Sequence, residues 1–175
     1  MAEIFDVVGE DDEVIGKATR EEVHGNPSLI HRVAHVLVFN TRGELFLQHR
    51  AADKDVQPDK WDTSVGGHVD AGEDYAEAAR REMREELGLE DAAIEPLYRY
   101  LHRNPFESEM VATFRAISDD PIEIDPKEIS EGRFWTLEEI DASPEEIFTP
   151  NLLDELARYR SWIASKELDA RDRKP

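Results

Sequence analysis

The segment Gly67-His68-Val69-Asp70-Ala71-Gly72-Glu73, running on to Arg81-Glu82-Met83-Arg84-Glu85-Glu86-Leu87-Gly88-Leu89, constrains the fold more than any other stretch. Asp74-Tyr75-Ala76-Glu77 has the form of a capping box, which satisfies the first free amides of a helix. Gly88 can adopt the left-handed conformation that ends one. On a helix turning about 100° per residue, Glu82, Glu85 and Glu86 share an arc of roughly 100°, with Ala76, Ala79, Met83 and Leu87 on the arc beside it. The apolar arc needs a partner surface, a sheet for instance, to cover it. The spacing therefore predicts a packed helix with three carboxylates converging beside its buried face.

Three like charges that close are unfavourable unless something neutralises them. Hard divalent cations with oxygen ligands do so, and magnesium is typically held by a few carboxylates together with substrate phosphate oxygens. Such ions polarise a diphosphate and lower the pKa of an attacking water. A run like Arg80–Glu86 equally suits a solvated helix face with Glu–Arg pairs, and the helix alone does not choose between the two.

The remaining pattern is that of one α/β domain spanning residues 1–175. Glu3 to Lys17 alternates around Gly9-Glu10-Asp11-Asp12 as a hairpin, and a helical turn follows over Thr19–Val23. Arg32–Phe39 is a β-branched, nearly continuous apolar strand. Asn40-Thr41-Arg42-Gly43 is turn chemistry, and Glu44–Arg50 returns as a strand before a polar loop, Ala51–Lys60. Further strands fit Ala93–His102, Glu109–Ile117 and a stretch around Gly132–Trp135, with Pro126–Glu131 as an acidic connecting loop. A last amphipathic helix runs from about Asn151 to Lys166, carrying Leu152, Leu156, Tyr159 and Ile163 on one face. The stretch Asp169–Pro175 is expected to fray.

Charge narrows the partners. With 41 acidic against 21 basic residues the net charge is −20, which disfavours polymeric nucleic acid and anionic membranes. A small phosphorylated substrate stays open, because bound metal ions reverse the field locally. The chain has no cysteine, hence no disulfide, thiolate ligand or cysteine nucleophile, which is compatible with a reducing cytosol. No apolar run approaches the roughly 20 residues that span a bilayer. The opening Met1-Ala2-Glu3-Ile4-Phe5-Asp6 carries acid where a signal peptide carries base, so a cytoplasmic protein is expected. Nothing chooses between a monomer and a homodimer.

Gly67, five residues, Glu73, seven residues, then Arg81-Glu82-Met83-x-Glu85-Glu86-x-Gly88-Leu89 resembles the Nudix box at every defined position. The resemblance implies a mixed sheet sandwiched between helices and a hydrolase that cleaves a diphosphate linkage in a nucleotide-like substrate. It implies Mg²⁺, with Mn²⁺ as a substitute, on Glu82, Glu85, Glu86 and the Gly67 carbonyl, and a supporting Glu73–Arg81 ion pair. Glu85 or Glu86 would position or deprotonate the water, with Glu109 an alternative base.

Over most of its length the chain also resembles the isopentenyl-diphosphate isomerases, which share that fold. His24, His31, His68, Glu107 and Glu109 match that family's metal ligands, a set suited to Mn²⁺, Zn²⁺ or Mg²⁺. Arg20, Arg50 and Lys54 match the residues that grip the substrate diphosphate. The catalytic cysteine is replaced by Gly66, the tryptophan at the hydrocarbon end by Asn151, and a diphosphate-binding arginine by Glu82. These departures favour hydrolysis over isomerisation, with a non-catalytic phospholigand-binding module as the third alternative. Trp61 and Trp135 suit a core role or a base stack, His35 reads as a satisfied core histidine, and His102-Arg103-Asn104 could reach substrate.

Overall fold

The computed structural model describes residues 2–53, 57–127 and 129–172. One strand organises the molecule. β3 (Ile30–Phe39) runs parallel to β8 (Ser108–Ile117) along its full length. Its other edge is shared end to end by three antiparallel partners: β1 (Ile4–Val8), β6 (Val65–His68) and β4 (Leu45–Arg50). β2 (Val14–Thr19) pairs with β1, β7 (Ile94–Arg103) with β8, and both β5 (Trp61–Asp62) and β9 (Ile129–Trp135) with β4. The result is a mixed sheet with helices against both faces, an α+β arrangement as the sequence leads one to expect.

β3 reads as a nearly continuous apolar run because it is covered on both sides. Ala34, Val36 and Val38 pack with Ala78, Ala79, Met83 and Leu87 of α2 (Tyr75–Leu87). Leu37 and Phe39 pack on the other face with Leu152, Leu156 and Tyr159 of α4 (Pro150–Asp172). Trp135 is buried in that second core and Trp61 packs against it, so both tryptophans take the structural role. No helix among the described residues is long and apolar enough to cross a membrane.

Several local expectations shift. β5, β6 and the short helix α3 (Leu137–Ala142) were not expected. β6 contains Gly66-Gly67, which have weak strand propensity, and is held by its pairing to β3. α3 carries a Thr136–Glu139 capping box of the kind already recognised at Asp74–Glu77. β9 begins at Ile129, so Ile129–Glu131 belongs to a strand and only the start of Pro126–Glu131 is loop. Ile129 is fully buried, and that side chain draws the strand in. α4 continues to Asp172, helical through residues 169–172 where fraying was expected, although residues 164–171 are exposed. Helix propensity carries these turns onward from a packed start.

Candidate active site

α2 starts and ends as its sequence requires. Asp74 accepts from the Glu77 amide at 2.8 Å, Glu77 caps the Asp74 amide at 3.0 Å, and Gly88 closes the helix at φ 67°. That start fixes Glu73 opposite Arg81, about two turns into the helix. The Arg81 guanidinium donates to both Glu73 oxygens at 3.0 and 2.9 Å, and to the His68 carbonyl at 3.0 Å. Arg81 thus ties the loop before α2 to β6, and also donates to Glu82 at 2.6 Å. Burial opposes ionisation of Glu73, but its hydrogen bonds, chiefly from Arg81, hold the carboxyl below its usual range. Glu82 differs: burial, with Glu85 and Glu73 nearby, pushes it up despite Arg81.

Gly67 stands against this carboxyl, and a methyl group at position 67 would overlap the Glu82 side chain. Glu86 accepts from Gln48 of β4 at 3.0 Å, while Glu85 is exposed with Arg81 3.6 Å away. Glu82, Glu85 and Glu86 of α2 offer carboxylate oxygens, with Gly67 against Glu82, and oxygen donors alone fit a hard divalent cation.

The tightest clusters of ligand atoms among the described residues lie elsewhere. His24, His31 and His68 form one and His31, Glu107 and Glu109 another, the ligand atoms within each falling within 4.8 Å of one another. His24 ends α1 (Arg20–Val23), His31 lies near the start of β3, His68 ends β6, and Glu109 faces His31 across the β3–β8 pairing. His24 Nε2 is 3.1 Å from His68 Nε2 and 3.4 Å from Glu107, and His31 Nε2 is 3.8 Å from Glu109.

Both ring nitrogens of His31 are buried without a hydrogen-bond partner. Burial, reinforced by neighbouring cationic side chains, lowers His31 to about 4 and His68 to about 3. Burial and the nearby Glu107 raise Glu109 to about 7. Neutral imidazoles with free lone pairs beside two carboxylates are a donor set for a divalent metal, and the orphaned His31 nitrogens fit that use.

The two clusters meet through β6. Gly66 and His68 face the α4 side of the sheet with His35 and Val33, while Gly67 faces α2 and Glu82. The cationic residues are more scattered. Arg20 is bound to Glu3 at 2.9 Å and Arg50 to Asp62 at 3.3 Å, and Lys54 lies outside the described residues. His102 pairs with Glu109 in register, so the end of β7 borders the histidine cluster.

One functional-looking group went unread in the sequence. His35 is satisfied at Nδ1, as a core histidine would be, but its partner is Glu155 of α4, a fully buried carboxylate. The available signal was Glu155 itself, an acid on the apolar stripe between Leu152 and Leu156.

The NUDIX domain family pattern matches residues 29–156. The chain is 39% identical over 162 residues to the uncharacterised Nudix hydrolase PA4841 of Pseudomonas aeruginosa, covering 90% of this chain and 94% of the relative. It is 34% identical over 165 residues to the uncharacterised Nudix hydrolase YfcD of Escherichia coli K12, covering 94% and 91%. Its fold is similar to the crystal structure of DR0079 from Deinococcus radiodurans, with a TM-score of 0.68 at 34% identity over 80% of this chain and 87% of the other. The fold alone is shared with the NUDIX domain of Shewanella oneidensis NrtR, solved with ADP ribose, with a TM-score of 0.62 at 16% identity over 75% and 87%. Hydrolases of this family generally use divalent metals. With a loop and helix of the required chemistry and relatives matched over nearly their whole length, the chain belongs to the Nudix family and is a pyrophosphohydrolase.

Proposed function

We propose that the protein hydrolyses a diphosphate linkage in a nucleoside di- or triphosphate or another nucleoside-diphosphate-linked compound, with Mg²⁺ as its metal and Mn²⁺ as a substitute. The observation that carries this reading is Arg81 binding Glu73, Glu82 and the His68 carbonyl together, which holds the Gly67 loop against the carboxylate helix. Glu82, Glu85, Glu86 and the Gly67 carbonyl would hold the metal, which when bound screens the diphosphate and acidifies water. Glu85 or Glu86 would orient or deprotonate the attacking water, and the hydrogen bond from Gln48 to Glu86 supports the latter. Arg20, Arg50 and Lys54 would supply positive charge to the phosphates. The ADP ribose bound by the NrtR domain supports a nucleotide-like substrate.

His24, His31, His68, Glu107 and Glu109 would hold a second ion. This cluster is what favours the other reading, an isomerase-like activity on isopentenyl diphosphate. Against it, Gly66 supplies no thiol and Asn151 no aromatic wall.

The test is incubation with Mg²⁺ or Mn²⁺ against nucleoside di- and triphosphates, nucleotide sugars, dinucleoside polyphosphates, NADH, coenzyme A and isopentenyl diphosphate, with products resolved by chromatography. Metal-dependent cleavage that falls by about 100-fold or more in Glu86→Gln, with an unchanged circular dichroism spectrum, is the expected result. Isomerised isopentenyl diphosphate with no compound cleaved would establish the second reading instead.

A further inference from the structure

Two members of the histidine cluster, Glu107 and Glu109, come from one hairpin, whose end carries an aromatic side chain that the fold leaves uncovered. β7 stops at Arg103 and β8 starts at Ser108, so the connecting loop is Asn104-Pro105-Phe106-Glu107. Phe106 is 73% exposed. Single exposed apolar residues are common on protein surfaces, and position is what separates this one from the rest. Among the described residues, the other exposed large hydrophobic side chains are Ile4, Val14, Ile15, Ile117 and Leu168. None of them adjoins a member of either cluster in the chain, whereas Phe106 directly precedes Glu107, about 3.8 Å away between α-carbons.

The loop itself is held firmly. The Asn104 side-chain oxygen accepts from the Phe106 amide at 2.8 Å and from the Glu107 amide at 3.0 Å, and the Asn104 amide donates to the Glu107 carbonyl at 3.0 Å. The Phe106 carbonyl accepts from the Gly25 amide at 2.8 Å, and the Ser108 hydroxyl donates to the Pro27 carbonyl at 2.6 Å. Gly25 directly follows His24, which lies 3.4 Å from Glu107 and 3.1 Å from His68. Both backbone groups of Phe106 are therefore bound, and the ring is the part left without a covering. An aromatic ring on an ordered loop offers a large apolar face with only two side-chain torsions to fix, so covering it costs little conformational entropy.

A substrate that reaches the cluster is placed to cover that ring. Arg20 is near enough for its charge to act on His31 and His68, so phosphates meet a cation and metal donors within the cluster itself. We infer that Phe106 is a specificity-determining residue whose ring stacks on the nucleobase of a substrate whose diphosphate is held by the metal donors and Arg20. The inference rests on the diphosphate hydrolase reading and assigns the end of the substrate that this reading leaves open. Stacking on an aromatic ring serves every base, since each has a π face. The ring therefore separates nucleoside compounds from diphosphates that lack a base, and not one base from another.

The experiment is steady-state kinetics of Phe106→Ala, Phe106→Leu and Phe106→Trp on whichever panel compound the wild type cleaves; every member except isopentenyl diphosphate carries a base. Phe106→Ala and Phe106→Leu should raise KM about tenfold and leave kcat within about twofold, as loss of a contact made equally in ground and transition states does. Phe106→Trp keeps a π face and should stay within about twofold of the wild type in KM. Urea midpoints of all three should match the wild type, because an exposed side chain adds little to stability. Unchanged KM in Phe106→Ala, wild-type KM in Phe106→Leu, or a fall in kcat at constant KM would overturn the stacking role and leave the hydrolase reading intact. So would a lowered urea midpoint in Phe106→Ala, or a KM in Phe106→Trp as high as in Phe106→Ala. A wild type that cleaves no base-bearing compound would remove both.

Discussion

At the scale of single residues, the site depends on what two adjacent glycines leave out. Gly66 leaves room that the His35 ring fills, and Gly67 leaves room that the Glu82 carboxyl fills. The motif spacing marks Gly67 as required, but the reason appears only when α2 is docked on β6. Gly67→Ala is expected to push the Glu82 carboxyl aside, lowering kcat about 100-fold and stability by about 1–3 kcal/mol. Turnover assays with urea denaturation check this, and wild-type kcat would show that the Glu82 position is irrelevant to hydrolysis. Glu155 teaches the complementary lesson. Its sequence setting flags an acid on an apolar stripe, but no local rule names His35, Tyr98 and Tyr100 as the donors that make its burial tolerable.

At the scale of elements, α2 was legible nearly to the residue because its signals are local. The Asp74–Glu77 box, the apolar arc and Gly88 all act within a few residues of one another. β5 and β6 were illegible for the opposite reason, since their strand character comes from backbone pairing with β4 and β3 rather than from side chains. α4 shows where periodicity stops informing. Its apolar stripe ends near Ile163, and beyond it the helix projects exposed residues through 171. A chain ending at Lys166 should therefore unfold within about 0.5 kcal/mol of the full chain in urea. A larger loss would mean that the exposed turns pack against something.

At the scale of the whole molecule, four distant segments bring His24, His31, His68, Glu107 and Glu109 together, and their coupling to solvent protons follows. Unfolded histidines titrate near their ordinary 6.5, whereas His31 and His68 bind protons in the fold only near 4 and 3. Between those limits the unfolded chain binds more protons. The stability these two residues contribute is complete above about 6.5 and is lost as pH falls toward 4 and below. Glu109, raised from 4.5 to about 7, acts in the opposite sense and loses its contribution as pH rises through that range. Two histidines outweigh one carboxylate, so the chelator-treated protein should melt at steadily lower temperature from pH 6.5 to pH 4. His31→Gln should make that slope shallower. A melting temperature independent of pH in this window would contradict the burial of the cluster.

The sequence by itself determined the family and the carboxylate helix, because these reside in residue identity at set spacings and in capping chemistry that acts over a few positions, whereas the histidine cluster was only implied by resemblance. Tertiary structure alone decided that Arg81 also binds Glu82, that the two clusters share β6 back to back, and that a buried glutamate holds the His35 ring over Gly66. Those outcomes depend on desolvation and on contacts between segments up to 120 positions apart, and neither quantity is encoded in any local stretch of chain.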